Sequence, residues 1–208
     1  MPKNIIVALD GMSVARALNI AKKLSGKVWG FKVNDLLHDP TFRVKDLKKY
    51  GRVFADAKFN DIPNTVFNSV RMLSRQGVDM ITIHASGGVE MMRAAKSAAG
   101  RSKIIAVTVL TSLNTNKQSV ISLAREAEKA KLDGIVCSAH ELTYLKNIRL
   151  LKIVPSIRPE WYGKKDDQKR KATPGEAIKA GADYLVIGRP ITQSSDPLAA
   201  LDKIIAEL

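Results

Sequence analysis

Short runs of β-forming residues recur along the whole chain, and a segment with helical spacing of apolar residues follows each of them. The runs begin at intervals of roughly 20 to 30 residues. Strands are predicted at residues 4–10, 27–34, 52–59, 79–86, 103–110, 133–139, 151–157 and 184–190. Alternation of strand and helix is typical of α/β proteins with a parallel sheet, and eight repeats favour a closed (β/α)8 TIM barrel. A doubly wound sheet would need a glycine-rich phosphate loop after its first strand, which residues 8–12 (ALDGM) do not supply.

The length of 208 residues suits one well-buried domain of this kind, and we predict a single domain over residues 1–208. Apolar residues make up 45% and charged residues 26% of the sequence, without the composition of a linker or a disordered tail. No apolar run approaches the roughly 20 residues of a membrane helix. We therefore expect a cytoplasmic protein without membrane contacts. The single cysteine, Cys137, lies in an apolar run and is predicted to be a buried thiol.

The charge of the chain is strongly positive, with 34 lysine and arginine residues, 20 aspartate and glutamate residues and a formal net charge of +14. Such a charge is typical of a protein that binds nucleic acid or of an enzyme with an anionic small substrate, and charge alone does not separate the two. The basic residues are scattered along predicted helices, and only 5 Phe, 4 Tyr and 2 Trp are available to stack on bases. These observations favour a small anionic ligand and no nucleic-acid partner.

Polar side chains collect where the predicted strands end, which is where the active sites of (β/α)8 barrels lie. In the third strand, the two-residue period of β structure places Asp56 and Lys58 on one face, pointing into the barrel. A buried pair of this kind is either a plain ion pair or a functional one, because burial of an unpaired charge is costly. Lys32, at the end of the neighbouring strand, adds a second cation and favours an electrostatic function.

Two further aspartates have alternative interpretations. Asp61 follows Lys58 closely and either joins this network or caps the helix that begins near Pro63. Asp10, which lies at the end of the first strand and before Gly11, is either a turn or cap residue or a site residue. The residues alone leave both alternatives open.

Gly188 and Arg189 follow the last strand, at the position where barrels of this class often bind a phosphate group. An exposed arginine without a ligand is the alternative interpretation of Arg189. A long polar loop, residues 155–173, carries several basic residues, Arg158 among them, and is predicted to act as a lid. A basic lid beside a phosphate site suits an anionic substrate.

Metal binding and serine-nucleophile chemistry are not predicted. The three histidines, His38, His84 and His140, have no metal-ligand spacing, and His84 at the end of the fourth strand is interpreted as a polar packing residue. Ser112 lacks a Gly-x-Ser-x-Gly elbow, so hydrogen bonding to a substrate is its predicted role. We expect neither a metal nor a cofactor.

Five segments are informative together: ALD at residues 8–10, FK at 31–32, DAKFNDIPNT at 56–65, DQKR at 167–170 and IGRP at 187–190. In this combination the chain resembles the orotidine 5′-monophosphate decarboxylase family. The resemblance extends from the first predicted strand to the last. The Asp-x-Lys-x-x-Asp-Ile-Pro core is highly specific when a lysine precedes it and Gly-Arg-Pro follows it.

The resemblance implies an enzyme without metal or cofactor that converts orotidine 5′-monophosphate to uridine 5′-monophosphate and CO2 in de novo pyrimidine biosynthesis. It implies that Lys58 protonates C6 of the pyrimidine. It also implies that Asp56 is placed against the departing carboxylate and that Lys32 orients both through hydrogen bonds.

By the same resemblance, the protein is a homodimer with shared active sites, in which Asp61, Ile62 and Thr65 reach into the site of the other subunit. The remaining implied substrate contacts are Asp10 and Lys32 to the ribose hydroxyls, Ser112 to the pyrimidine, Gln168, Gly188 and Arg189 to the 5′-phosphate, and Pro155 and Arg158 in the loop after strand seven. One departure lies in that loop, where Ser156 stands at a position that glycine commonly takes in the family. We expect the turn to be altered there.

Two other functions compete with this one. The magnesium-dependent sugar-phosphate decarboxylases and hexulose-phosphate synthases resemble the chain in their Asp-x-Lys-x-x-Asp strand but offer a glutamate on the second strand. Lys32 occupies that neighbourhood here, and a cation is unsuitable as a magnesium ligand. A catalytically silent barrel or an RNA-binding protein would exploit the positive charge, but the intact Asp56, Lys58 and Asp61 argue against it.

Overall fold

Eight parallel strands form a closed barrel in the computed structural model, which describes residues 4–109, 116–163 and 171–208. Each strand pairs with the next along the chain, and the last strand pairs with the first. The strands are β1 (Ile5–Ala8), β2 (Gly30–Val33), β3 (Arg52–Phe59), β4 (Met80–His84), β5 (Lys103–Val107), β6 (Gly134–Val136), β7 (Leu151–Val154) and β8 (Tyr184–Ile187). The predicted (β/α)8 TIM barrel is confirmed, and every strand lies within its predicted run.

Helices connect the strands around the outside of the barrel. The α-helices are α1 (Val14–Lys23), α2 (Val44–Lys48), α3 (Pro63–Arg75), α4 (Gly88–Ala98), α5 (Lys117–Lys129), α6 (Pro174–Ala180), α7 (Arg189–Thr192) and α8 (Pro197–Ala206). Short 3-10 helices are found at Asp35–His38, Ala85–Gly87 and Ala139–Tyr144, and the last of these is the helical segment that follows β6. Helix α3 has Pro63 in its first turn, as the sequence predicts, but its N-cap is Ile62 and not Asp61.

The strands are apolar on both faces because a parallel barrel is covered by helices outside and filled by side chains inside. In β3, Val53 and Ala55 belong to the outer core under the helices, whereas Phe54 belongs to the inner layer. This is the alternation expected from the sequence. The inner layer consists of Ile6, Ala8, Trp29, Phe54, Met80, Ile105, Ile153 and Val186.

Cys137 is fully buried, and burial raises the pKa of its thiol. Among the described residues, no helix is both long and apolar enough to span a membrane.

Three aspartates repeat one contact at the end of the barrel where the strands begin. Asp79, Asp133 and Asp183 stand immediately before β4, β6 and β8, and each accepts a hydrogen bond from the second residue of the preceding strand. The three bonds are Val53 N to Asp79 Oδ2 at 2.8 Å, Ile104 N to Asp133 Oδ2 at 2.8 Å and Lys152 N to Asp183 Oδ2 at 2.7 Å. In return, the backbone N–H of each aspartate donates to the carbonyl of the same partner. The pairs β3–β4, β5–β6 and β7–β8 are thus each joined at their beginning by two reciprocal bonds.

Replacing Asp133 by alanine is expected to lower the free energy of unfolding by about 1–3 kcal/mol, because the Ile104 N–H loses its acceptor and Lys96 Nζ, which lies 2.6 Å from Asp133 Oδ2, loses its ion pair. The measurement is urea unfolding followed by circular dichroism. Asp46→Ala is the control, since Asp46 pairs only with Lys49 on the exposed surface of α2. Equal unfolding midpoints for the two variants would contradict a stabilising role for Asp133.

Candidate active site

A cavity of about 450 Å³ opens where the strands end. The polar part of its lining consists of Asp10, Gly11, Lys32, Asp56, Lys58, Ser156, Arg158, Gly188, Arg189 and Thr192. The apolar part consists of Ala8, Phe54, Val107, Val109, Val136, Ile153, Pro155 and Val186. An apolar cavity with a few convergent polar groups is the usual form of a small-molecule site.

Four of the lining side chains form a single row in which negative and positive charges alternate. Lys32 Nζ lies 2.6 Å from Asp10 Oδ2 and 3.3 Å from Asp56 Oδ2. Lys58 Nζ lies 2.6 Å from the same Asp56 oxygen. The two inner members, Lys32 and Asp56, are buried, whereas the Asp10 and Lys58 side chains are 44% and 32% exposed. Each inner charge therefore has partners of opposite sign, and the Lys58 ammonium lies on the open side of the row.

The row keeps its two buried members, Lys32 and Asp56, charged although burial opposes this. Burial alone would raise the pKa of Asp56, but the charges of Lys32 and Lys58 and the hydrogen bonds from Lys58 and Thr82 outweigh it, so the pKa lies below its ordinary value. Burial would likewise lower the pKa of Lys32, but the carboxylates of Asp56 and Asp10 leave it above its ordinary value. A carboxylate and an ammonium thus stay ionised inside a largely apolar wall.

The backbone of β3 leaves the regular strand geometry where it carries Asp56 and Lys58. Lys58 has a φ of 49°, a left-handed conformation that is unusual for a residue with a long side chain. The pairing of β3 with β4 shifts between Ala55 and Phe59, which is a bulge in the strand. Asn34 Nδ2 also donates to the Asp56 carbonyl at 2.6 Å. The Asp56 backbone is therefore held by a side chain that directly follows β2.

Two threonines of this region are absent from the sequence-based prediction. Thr82, on β4, contacts Asp56 and Lys58 from behind the cavity wall. Thr192, at the end of α7, lines the cavity and accepts a hydrogen bond at its carbonyl from Arg16 Nη2 at 3.0 Å. The sequence signal for Thr82 was a polar residue between two apolar ones. Its neighbours Ile81 and Ile83 belong to the outer core, so Thr82 points inward.

Helix capping is excluded for both outer aspartates. Asp10 does not cap a helix, because the N-cap of α1 is Ser13, and the Asp10 carboxylate instead binds Lys32 through both oxygens. Asp61 does not cap α3 either, since its Oδ1 accepts only the adjacent Ile62 N–H at 2.6 Å.

The predicted residues Asp61, Ile62 and Thr65 do not line the cavity of their own chain. All three are exposed, and the Ile62 side chain is among the most exposed large apolar groups, at 66%. They lie at the start of α3, directly after the strand that carries Asp56 and Lys58.

The loop that follows β8 forms the side of the cavity predicted to bind phosphate. Gly188 precedes the short helix α7, and Arg189 is its first residue. A Cβ at position 188 would lie 3.4 Å from the Ala8 Cβ, so this position packs directly against the end of the first strand. Pro155 and Arg158 line the same cavity from the loop after β7.

Ser156 occupies the turn where the sequence shows a departure. Its φ of 65° is left-handed, so the serine adopts the conformation that glycine takes easily. The side chain is buried and lines the cavity. Ser156 therefore has a backbone conformation that glycine favours, and the effect of the departure on the turn stays a prediction.

The remaining predicted positions are Ser112, Gln168, the loop 155–173 and His84. Ser112 and Gln168 lie outside the described residues, as does the middle of the loop 155–173. His84 ends β4, and burial and the charge of Lys58 lower its pKa, so the imidazole is neutral near pH 7. In the described parts of the chain, no three His, Cys, Asp or Glu side chains are grouped so as to hold a metal ion.

Comparisons with known proteins agree on one family. The model of the family described as orotidine 5′-phosphate decarboxylase / HUMPS matches residues 3–204. The orotidine 5′-phosphate decarboxylase of Dichelobacter nodosus is 43% identical, over 98% of this chain and 98% of its own. That of Idiomarina loihiensis is 42% identical, over 100% of this chain and 98% of its own. The crystal structure of orotidine 5′-phosphate decarboxylase from Lactobacillus acidophilus has a TM-score of 0.85 at 33% identity, covering 99% of this chain and 98% of that chain.

Proposed function

Because the chain belongs to the orotidine 5′-phosphate decarboxylase / HUMPS family, we propose that it is a carboxy-lyase that converts orotidine 5′-monophosphate to uridine 5′-monophosphate and CO2. The full-length relatives with this name support the substrate. The assignment carries with it a place in pyrimidine biosynthesis and the cytoplasmic location expected from the sequence.

The observation that carries the proposal is the row Asp10, Lys32, Asp56 and Lys58 at the cavity wall. The alternative, a magnesium-dependent sugar-phosphate enzyme, requires an oxygen ligand on β2. Lys32 is on that strand, its ammonium is bound by two carboxylates, and a cation repels Mg²⁺. The row suits an organic anion better than a metal ion.

The proposed chemistry uses the Asp56 carboxylate and the Lys58 ammonium. Cleavage of the bond between C6 and the carboxylate releases CO2 and leaves the bonding electron pair at C6, where no carbonyl delocalises it. The Lys58 ammonium stabilises this charge and transfers a proton to C6, and the lysine then takes a proton from water. Asp56 lies 2.6 Å from the Lys58 ammonium, so it holds the acid in place and presents a negative charge to the departing carboxylate. Loss of CO2 relieves that repulsion.

The remaining contacts bind the parts of the substrate that do not react. Asp10 and Lys32 are proposed to bind the ribose hydroxyls, and Gly188 and Arg189 the 5′-phosphate. Both groups line the cavity. Ser112 is proposed for the pyrimidine and Gln168 for the phosphate by resemblance alone. Contacts of this kind supply binding energy that orients the reacting carbon against Lys58.

A homodimer is part of the proposal because Asp61, Ile62 and Thr65 do not reach their own cavity. They form an exposed segment with Ile62 at its centre, and Met72 on the same helix α3 is 60% exposed. Contact with a partner would remove these apolar side chains from water, which favours association. In a two-fold dimer, this segment of each subunit would complete the site of the other.

The function is tested by following the loss of orotate-ring absorbance with purified protein, in buffer with a chelator and in buffer with magnesium. We expect turnover of orotidine 5′-monophosphate at equal rates in both, with one CO2 released for each uridine 5′-monophosphate formed. Absence of turnover, together with magnesium-dependent activity on a sugar phosphate, would place the chain in the other branch of the family.

Arg189→Ala is expected to act through the phosphate, because Arg189 lines the cavity beside Gly188 at the end opposite Lys58 in the proposed substrate pose. Loss of a charge-assisted contact costs about 1.5–3 kcal/mol, which corresponds to a decrease in kcat/KM of roughly tenfold to a hundredfold. The measurement compares orotidine 5′-monophosphate with orotidine, which lacks the phosphate. The same fold-loss for both substrates would place Arg189 outside the phosphate site.

A further inference from the structure

Thr82 is a fully buried residue that contacts both reacting-site residues of β3 through one hydroxyl group. Its Oγ1 accepts a hydrogen bond from the Lys58 backbone N–H at 2.8 Å and donates one to Asp56 Oδ1 at 3.0 Å. Thr82 is not among the residues that line the cavity. Any effect that it has on the reaction must therefore pass through Asp56 and Lys58.

The position of Thr82 follows from the bulge in β3. Ala55 pairs with Ile81 and Phe59 pairs with Ile83, so residues 56–58 of β3 stand opposite Thr82 alone. Within a bulge, backbone groups lose their regular partners on the neighbouring strand. The Lys58 N–H takes the Thr82 hydroxyl as its acceptor instead. Lys58 is left-handed at this point, a conformation that costs a non-glycine residue free energy and persists only when its surroundings hold it.

The second bond fixes the rotation of the Asp56 carboxylate. Asp56 Oδ2 accepts the Lys58 ammonium at 2.6 Å and lies 3.3 Å from Lys32 Nζ, whereas Oδ1 accepts the Thr82 hydroxyl. The two carboxylate oxygens therefore have different partners on different strands. Without the hydroxyl, Oδ1 would lose this hydrogen bond from β4, and the carboxylate would be held through Oδ2 alone.

We propose that Thr82 is a positioning residue for the decarboxylation, which holds the left-handed backbone of Lys58 and the rotation of Asp56 with a single hydroxyl. The inference rests on the proposed function. Displacement of a reacting group by about 1 Å can lower a rate by roughly a hundredfold. The Thr82 hydroxyl is the group that prevents such a displacement of the Lys58 ammonium relative to Asp56.

The test compares Thr82→Val, which keeps the shape of the side chain and removes the hydroxyl, with Thr82→Ser, which keeps the hydroxyl. We expect Thr82→Val to lower kcat by about tenfold to a hundredfold. Its KM and its affinity for uridine 5′-monophosphate should stay close to wild type, because Thr82 does not line the cavity. Thr82→Ser should recover most of the lost rate. Ser102→Ala is the matched control, since it removes a buried hydroxyl that donates to the Val78 carbonyl at 2.6 Å where the strands begin.

Three kinetic outcomes overturn the inference: a normal kcat in Thr82→Val, an equal loss of kcat in Ser102→Ala, or a loss of rate that Thr82→Ser does not recover. A crystal structure of Thr82→Val adds a reading that does not depend on turnover. Lys58 should leave the left-handed region, or the Asp56 carboxylate should rotate, and retention of both wild-type geometries would overturn the inference even if the wild-type protein were inactive on orotidine 5′-monophosphate. Inactivity of the wild-type protein alone would contradict the proposed function and leave the structural comparison valid.

Discussion

Lys58→Ala should lower kcat by at least about a thousandfold, because one charge pair near 4 Å contributes roughly 4 kcal/mol at an effective dielectric constant of 20 and each 1.36 kcal/mol is about tenfold in rate. The variant loses both the ammonium that stabilises charge at C6 and the proposed proton donor. Affinity for uridine 5′-monophosphate should persist, since the proposed ribose and phosphate contacts come from other residues. The measurements are single-turnover decarboxylation and calorimetric titration with uridine 5′-monophosphate.

The variant should also fold, because Asp56 keeps Lys32 as a partner at 3.3 Å. Lys48→Ala is a matched control: Lys48 Nζ lies 2.7 Å from Asp79 Oδ2, and its side chain is 35% exposed, compared with 32% for Lys58. That pair lies where the strands begin, far from the cavity. Turnover of Lys58→Ala within about tenfold of wild type would remove Lys58 from the role of acid.

Activity should return when two inactive proteins, Lys58→Ala and Asp61→Ala, are mixed, unfolded and refolded together. Random pairing makes about half of the dimers mixed, and each mixed dimer holds one site with both residues intact, so about a quarter of wild-type activity is expected. The physical basis is the exposure of Asp61 and its absence from the cavity of its own chain. Native mass spectrometry verifies that mixed dimers form.

The reciprocal mixture gives an independent control. Wild-type protein refolded with an equal amount of the double variant Lys58→Ala/Asp61→Ala should show about a quarter of the activity of the same total amount of wild-type protein. The reason is that a mixed dimer then has no intact site. If each subunit used its own Asp61, about half would remain. No recovered activity in the first mixture, together with about half of the activity in the second and with mixed dimers present in both, would refute the shared site.

Much of the fold could be predicted from the sequence because the barrel repeats one local unit. Strand and helix patterns are local properties, and all eight strands lie within the predicted runs. Except for β3, the strands are shorter than the runs, since the apolar pattern continues into loops that pack on the barrel. In β1, for example, the strand ends at Ala8, but Leu9 beyond it is fully buried. The two-residue period also placed Val53 and Ala55 correctly in the outer core.

The site was less accessible to prediction because its geometry depends on contacts between strands. The period predicts that Asp56 and Lys58 share a face, and their side chains do meet. It does not predict the left-handed backbone of Lys58 or the shifted pairing with β4, which arise only when Thr82 and Asn34 approach from the neighbouring strands. Likewise, the choice between capping and ion pairing for Asp10 depends on the side chain of Lys32 across the β1–β2 pair.

The three aspartate contacts imply that the barrel can assemble from modules. The bonds at Asp79, Asp133 and Asp183 span only 26, 29 and 31 positions of sequence, and none of the three spans overlaps another. Short closures of this kind cost little chain entropy and favour rapid formation of each strand–helix–strand module before the ring closes. An exposed position between the modules, such as Gly100, is therefore a place where the polypeptide can be nicked or its termini relocated while every module keeps its own closing bond.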